Sequence, residues 1–444
     1  MTSFDALGLS PAMLKATQRI GFSNPTPIQR DAIPLVISGQ DIMGLAQTGT
    51  GKTAAFGLPM VDRLLENREK PASKNIRALI LAPTRELVNQ IVENLRAYVK
   101  NTPLKIDIVI GGASVVGQKR RLERGCDILV ATPGRLLDHV ERKNVFLDRA
   151  SILVLDEADQ MLDLGFIHDL RKIARHVGHP RQTLLFSATM AKQINELAQT
   201  FLNDPVRVEV SPPGKSADKV RQAVHFLNRK SKGTKLHDLL IERRDDLSLV
   251  FCRTKHGAEK LKNTLVEAGF AAASIHGNKS QGQRDRAIKG FKSGETRVLV
   301  ATDVAARGID ISGVTHVYNF DLPEVAEAYV HRIGRTARAG KDGCAVTLCA
   351  PDELKLLRAV ENLMGIRVDV VSGEVPNAAE IAADKQPKRG SRVRLVGRGR
   401  PNGIRGGKPR KGAPISGGPS SGARPKPKRK RVRNRPKNKK TGRG

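Results

Sequence analysis

Ser151-Ile-Leu-Val-Leu-Asp-Glu-Ala-Asp159 is the stretch whose reading decides the fold of this 444-residue chain. The apolar run Ile152 to Leu155 has the length of a strand buried on both faces of a parallel sheet. It delivers three carboxylates, Asp156, Glu157 and Asp159, to the strand's end. Glu157-Ala158-Asp159, followed by Met161 and Leu162, reads as the first turn of a helix, where amide hydrogens favour ionised carboxylates. Alone, the three acids fit a helix cap as well as a catalytic centre. Their meaning depends on what surrounds them.

Outward from this stretch, short apolar runs alternate with helix-length amphipathic segments from Phe4 to about Val210. Candidate strands are Asp41 to Leu45, Ala78 to Leu81, Lys105 to Ile110, Asp127 to Val130, Ile152 to Leu155 and Thr183 to Phe186. Such alternation predicts a parallel sheet covered by helices on both faces. The Pro-, Gly- and Ser-rich segment 211–218 reads as a linker. Beyond it the pattern resumes with Leu247 to Cys252, Ala271 to Ile275, Arg297 to Val300, His316 to Asn319 and Ala345 to Cys349. The halves echo each other. Leu129-Val-Ala-Thr132 returns as Leu299-Val-Ala-Thr302, and the same offset lays Leu79–Thr84 over Leu249–Thr254, which predicts a duplicated α/β unit. Only a degenerate Gly233-Thr-Lys stands in the second half where a phosphate loop would be.

Charge is placed unevenly. Of 77 Lys and Arg, 23 lie between Lys385 and Gly444, a segment without an acid, which leaves residues 1–384 at a net +10 out of +33. A tail of Lys, Arg, Gly and Pro cannot bury enough surface to offset its ordering entropy and is expected to be disordered. Its charge points to a polyanion, and the lack of Trp points to phosphate contacts more than base stacking. Cys126, Cys252, Cys344 and Cys349 form no Cys-x-x-Cys pair and read as structural thiols. No basic, apolar leader and no run of 18 apolar residues occurs, so a soluble cytoplasmic protein without a membrane role is expected.

Ala46, Gln47, Thr48, Gly49, Thr50, Gly51, Lys52 and Thr53 follow a predicted strand and precede a helical pattern, the context of a phosphate-binding P-loop. Its glycines turn backbone amides toward phosphate oxygens, Lys52 reaches the β and γ phosphates, and Thr53 offers a hydroxyl to Mg²⁺. Asp156 then gains a role as a carboxylate for the hydration shell of that ion, and Glu157 as the group that orients or deprotonates the attacking water. Positive charge for the transition state is offered by His331-Arg-Ile-Gly-Arg-Thr-Ala-Arg338, in which His331, Arg335 and Arg338 share one face if the segment is helical.

Taken together, residues 4 to 370 resemble a DEAD-box ATP-dependent RNA helicase, most similar to the bacterial RhlE-like branch. The resemblance is carried by the P-loop, Asp156 to Asp159, Gly21-Phe22-Ser-Asn-Pro25-Thr26-Pro-Ile-Gln29, Pro83-Thr-Arg-Glu-Leu87, Gly111-Gly112, Thr132-Pro-Gly-Arg135, Ser187-Ala-Thr189, Gln281-x-x-Arg284, Ala301 to Asp310 and the arginine segment, all in order. It implies two tandem RecA-like domains, at 1–210 (nucleotide-recognition motif within 2–30) and 219–375, joined by 211–218 and followed by an RNA-binding tail at 376–444.

The resemblance further implies that Phe22 and Gln29 recognise adenine, with Gln29 reading the base edge, that Thr26 also belongs to the ATP site, and that Gly308 and Asp310 lie on the ribose side. Pro83, Thr84, Arg85, Gly111, Gly112, Thr132, Pro133 and Arg135 would hold the RNA backbone in the first half, and Arg253, Thr254 and Thr302 in the second. Asp159, Ser187, Thr189 and His331 would couple the halves. Hydroxyls, amides and arginines at strand ends suit phosphate and 2′-hydroxyl contacts that read no sequence. Ala337 stands where the family commonly has Gly; in a helix alanine is favoured by roughly 1 kcal/mol, so the arginines should be undisturbed.

The implied activity is an RNA-dependent ATPase that locally unwinds short duplexes or remodels RNA–protein complexes, using ATP and Mg²⁺. An ATP-gated RNA clamp or annealing chaperone dominated by the tail, and a DNA-directed translocase, are the competing readings. Ribosomal precursors and the RNA-decay machinery are the partners compatible with backbone recognition.

Overall fold

The computed structural model describes residues 3–46, 49–67, 69–190, 192–210, 220–306, 313–337 and 343–376. The expected linker, the tail after Pro376, and Gln47, Thr48, Gly308, Asp310 and Arg338 lie outside the described residues.

The first half is a seven-stranded sheet of β1 (Ile42–Leu45), β2 (Ile76–Leu81), β3 (Ile106–Val109), β4 (Cys126–Ala131), β5 (Ile152–Leu155), β6 (Gln182–Ser187) and β7 (Val206–Glu209), in the order β3-β4-β2-β5-β6-β1-β7. The second contains β8 (Val220–Phe226), β9 (Leu247–Phe251), β10 (Ala272–Ile275), β11 (Val298–Ala301), β12 (Val314–Asn319), β13 (Gly343–Cys349) and β14 (Asp369–Ser372), in the order β10-β11-β9-β12-β13-β8-β14. Every neighbouring pair is parallel. The two orders are one permutation. The strands that carry the sequence echo, β2 with β9 and β4 with β11, occupy matching places, so the predicted duplication is a property of the fold.

Side-chain alternation explains the double cover. Along β5, Ile152 and Val154 enter a core with Phe56 and Phe186, whereas Leu153 and Leu155 enter another with Met161 and Ile173. Along β9, Leu249 and Phe251 face one core and Val250 the other. Burying each such side chain contributes about 1.5–3 kcal/mol, which requires helices on both faces. Thr84 caps the helix Arg85–Tyr98 by accepting from the Leu87 amide (3.2 Å), and Thr254 caps Lys255–Glu267 by accepting from the Gly257 amide (3.0 Å). The echo thus extends to the caps.

Three strands were not anticipated: β7, β8 and β14. Two form sheet edges, and β7 and β8 interleave charged with apolar residues (Val206-Arg-Val-Glu209), so a search for apolar runs passes over them. Gly233-Thr-Lys lies in the first turn of the helix Lys232–Ile241, the first α-helix after β8.

Candidate active site

The sequence-predicted residues gather at the C-terminal ends of the strands, where open parallel sheets bind ligands. A cavity of about 400 Å³ is bounded by Phe22, Thr26, Gln29, Gly51, Lys52, Thr53, Asp156 and Glu157 of the first half and by Lys292 and Arg335 of the second. Lys52 opens the helix Lys52–Glu66, buried, with Nζ 3.9 Å from Asp156 Oδ1 and no hydrogen-bond partner. An orphaned buried ammonium is costly without an anion, so the donor set fits a phosphate. Gly51 (φ 94°) is forced by closeness as well as conformation: a Cβ there would stand 2.3 Å from Gln29 Nε2.

Glu157 departs from expectation. The helix begins at Ala158, and Glu157 precedes it in left-handed backbone (φ 53°, ψ 51°), a conformation that costs a non-glycine residue roughly 1–2 kcal/mol. This turn aims its carboxyl at the cavity, where Oε2 is buried without a partner. The expected bias toward ionisation is also reversed. Burial, above all, pushes Glu157 up to about 7 against the pull of Lys52 and Arg335, and burial pushes Asp156 up against Lys52. Asp159 is spent on the protein: its Oδ2 accepts from the amides of Ala188 (3.0 Å) and Thr189 (3.1 Å) and from Thr189 Oγ1 (3.3 Å), while Ser187 Oγ donates to Thr189 O (2.8 Å).

Gln29 joins two motifs. Its Oε1 accepts from the Thr26 amide (3.0 Å) and its Nε2 donates to Gly51 O (3.2 Å), tying the segment expected at the adenine to the glycine loop before the helix Lys52–Glu66. Phe22 is stacked on Phe4 with its ring partly exposed beside the cavity.

The arginine segment is not one helix. Ala326–Ile333 ends before Arg335, Gly334 caps it, and Arg335 projects into the cavity from the turn that follows. His331 lines a small adjoining pocket with Asp303 and Arg332. Ala337 has φ 54°, so the sequence argument that alanine suits a helix there fails, and the position favours glycine.

The residues expected at the RNA backbone form a surface along the same strand ends. Thr84 and Arg85 follow β2, Gly111 and Gly112 follow β3, and Thr132 and Pro133 open the helix Pro133–Glu141 after β4, with Arg135 Nη1 donating to Ala113 O (3.0 Å). Gly112 (φ 74°) lets Arg85 lie across it, since a Cβ would come within 1.9 Å of Arg85 Nη1. In the second half Thr302 follows β11 and Thr254 caps its helix, while Arg253 Nη2 donates to Glu353 (2.8 Å).

Residues 26–197 match the DEAD/DEAH box helicase model and residues 231–340 the helicase conserved C-terminal domain. The "DEAD-box ATP-dependent RNA helicase CshA" of Bacillus subtilis is 45% identical over 83% of this chain and 73% of its own length. The chain belongs to the DEAD-box ATP-dependent RNA helicases. CshA bears on this family membership and not on the RhlE-like branch within it.

Among solved structures, S. cerevisiae Dbp5 bound to RNA and ADP BeF3 is 32% identical, with 84% of this chain and 96% of that one covered and a TM-score of 0.75. A Dbp5 variant bound to Nup159, Gle1, IP6 and ADP, 30% identical with 83% and 96% covered, gives only 0.58. The halves of this helicase meet at residues whose pairing no sequence pattern disclosed. Buried Glu86 accepts from Gln281 Nε2 (3.0 Å) and pairs with Arg284 Nη2 (3.1 Å), and Arg85 Nη1 donates to Gln281 Oε1 (3.2 Å). Lys292, also unanticipated, reaches the cavity from the second half.

Proposed function

We propose that this helicase is a two-part clamp: ATP and RNA each favour the arrangement in which Arg335 meets Lys52, Asp156 and Glu157, and hydrolysis releases it. The observation that carries the reading is the single cavity bounded by catalytic candidates of both halves. Each ligand stabilises the same closed state, so each raises the affinity for the other.

Lys52 binds the β and γ phosphates, and Phe22, Thr26 and Gln29 meet the adenine, with Gly308 and Asp310 on the ribose side. Glu157, raised toward neutrality by burial, accepts the proton of the water that attacks the γ phosphorus, and ADP leaves. Arg335, with Arg338, offsets charge on the transferring group, a contribution typically of ~10³ to 10⁵ in rate. Magnesium held by Thr53 and Asp156 would neutralise phosphate charge when bound. Pro83 to Arg85, Gly111, Gly112, Thr132, Pro133 and Arg135, with Arg253, Thr254 and Thr302, hold the RNA backbone, and Asp159 with Ser187, Thr189 and His331 couples the two ligands. Backbone recognition suits RNAs as different as ribosomal precursors and decaying messages. Among the described residues no helix is long and apolar enough to cross a membrane, and a cytoplasmic setting suits this reading.

ATP turnover with RNA or DNA of one sequence tests the proposal, together with Glu157→Gln. RNA should stimulate turnover and DNA should not. Glu157→Gln should bind ATP and RNA cooperatively yet lose turnover by roughly a hundredfold or more, as expected for a general base. Equal stimulation by DNA, or full turnover in the variant, would refute it.

A further inference from the structure

Because the sheets share one strand order, the nucleotide cavity has a counterpart in the second half. Lys52 opens the first helix after β1; Lys232 opens the first α-helix after β8. Asp156 follows β5 directly and lies 3.9 Å from Lys52; Asp321 stands just beyond β12 and lies 3.7 Å from Lys232.

There the halves part. Lys52 Nζ has no hydrogen-bond partner, whereas Lys232 Nζ donates to Glu353 Oε2 (2.5 Å) and to Phe320 O (2.7 Å). The Lys232 and Glu353 side chains are each only 1% exposed. Glu353 comes from the 3-10 turn Pro351–Glu353 beyond β13, the counterpart of β6. A carboxylate of the chain thus faces the lysine that, in the first half, is left for a phosphate. Its remaining acceptor capacity is used as well. Oε2 also accepts from the Ala350 amide (3.1 Å), and Oε1 accepts from Arg253 Nη2 (2.8 Å) and the Leu322 amide (3.3 Å). Arg253 stands just past β9, is 31% exposed, and keeps a buried Nε without a partner.

We propose that Glu353 is a built-in anion that substitutes for a nucleotide phosphate in the second half and positions Arg253 for the RNA backbone. In the first half Asp156 lies near the lysine without hydrogen-bonding it, so a hydrogen-bonded negative charge arrives there only when ATP binds. The second carries that charge permanently, so its RNA-facing arginine is set whether or not nucleotide is present. The geometry has the short, charge-assisted bonds that a buried ion cluster needs to offset its desolvation. The inference rests on the assignment of Arg253 to RNA, and the test separates the two.

The full chain is assayed for ATP turnover as RNA is titrated, in Arg253→Ala, Glu353→Gln and the double variant Lys232→Met/Glu353→Gln, whose buried cluster has lost one charge of each sign and so keeps the fold. The RNA concentration for half stimulation should rise about tenfold in all three, the effect of one charged hydrogen bond, while ATP half-saturation at saturating RNA stays within about twofold. If Arg253→Ala leaves the RNA dependence unchanged, the RNA assignment fails. If Arg253→Ala raises it and the double variant does not, Glu353 is merely structural and the proposal fails. Glu353→Ala adds an independent readout, since inorganic phosphate should raise its melting temperature more than that of the unaltered chain. Equal shifts would exclude the phosphate-substitute role.

Discussion

Two residues of this helicase occupy left-handed backbone without being glycine at or beside the proposed catalytic residues: Glu157 and Ala337. The sequence makes both residue types plain and neither conformation, because nothing in apolar spacing distinguishes a helix's first turn from the strained residue before it. The carboxylates were legible as a cluster, yet the upward shifts of Asp156 and Glu157 were not, since burial, which apolar spacing does not disclose for these side chains, outweighs the pull of Lys52. Ala337 follows Arg335 by two positions, so strain there bears on where the arginine points. Ala337→Gly should raise stability by about 1 kcal/mol, read as a higher denaturant midpoint, because glycine tolerates this φ where alanine does not. An unchanged midpoint would mean that the turn relaxes at no cost.

At the scale of elements, the repeated Leu-Val-Ala-Thr and its companion run mark strands that occupy matching places in the two sheets. What remained hidden were β7, β8 and β14, which carry no continuous apolar run, and the contacts across the halves, which depend on surfaces far apart in sequence. The helix Arg85–Tyr98 concentrates that hidden information in its first turn, where Arg85, proposed for the RNA backbone, and adjacent Glu86 both bond Gln281 and Glu86 also pairs with Arg284. Glu86→Gln keeps the shape and removes the charge under Arg284. Loss of a buried charged partner costs about 2–5 kcal/mol in such settings. The expected outcome is ordinary ATP binding without RNA and at least a tenfold weaker mutual enhancement of ATP and RNA binding, measured by fluorescence titration of each ligand with and without the other.

For the molecule as a whole, the charge that dominates the composition lies in the segment after Pro376. A chain ending at Pro376 should keep RNA-stimulated turnover, yet its RNA affinity should fall far less steeply as salt rises. If the tail neutralised about six to ten phosphates, the full chain would lose roughly a thousandfold or more between low and moderate salt. Matching slopes in the two chains would assign the tail no part in binding. The shared strand order has one more implication, for mutational tolerance. Lys52 and Lys232 are the same residue in corresponding places, yet their loss should produce different kinds of defect. Lys52→Ala removes an ammonium that no hydrogen bond holds and should give a folded, inert protein. Lys232→Ala strips a partner from fully buried Glu353 and should cost about 3 kcal/mol or more, read as reduced soluble yield and early melting. In a duplicated fold, a lysine proposed to serve chemistry on one side is part of the foundation on the other.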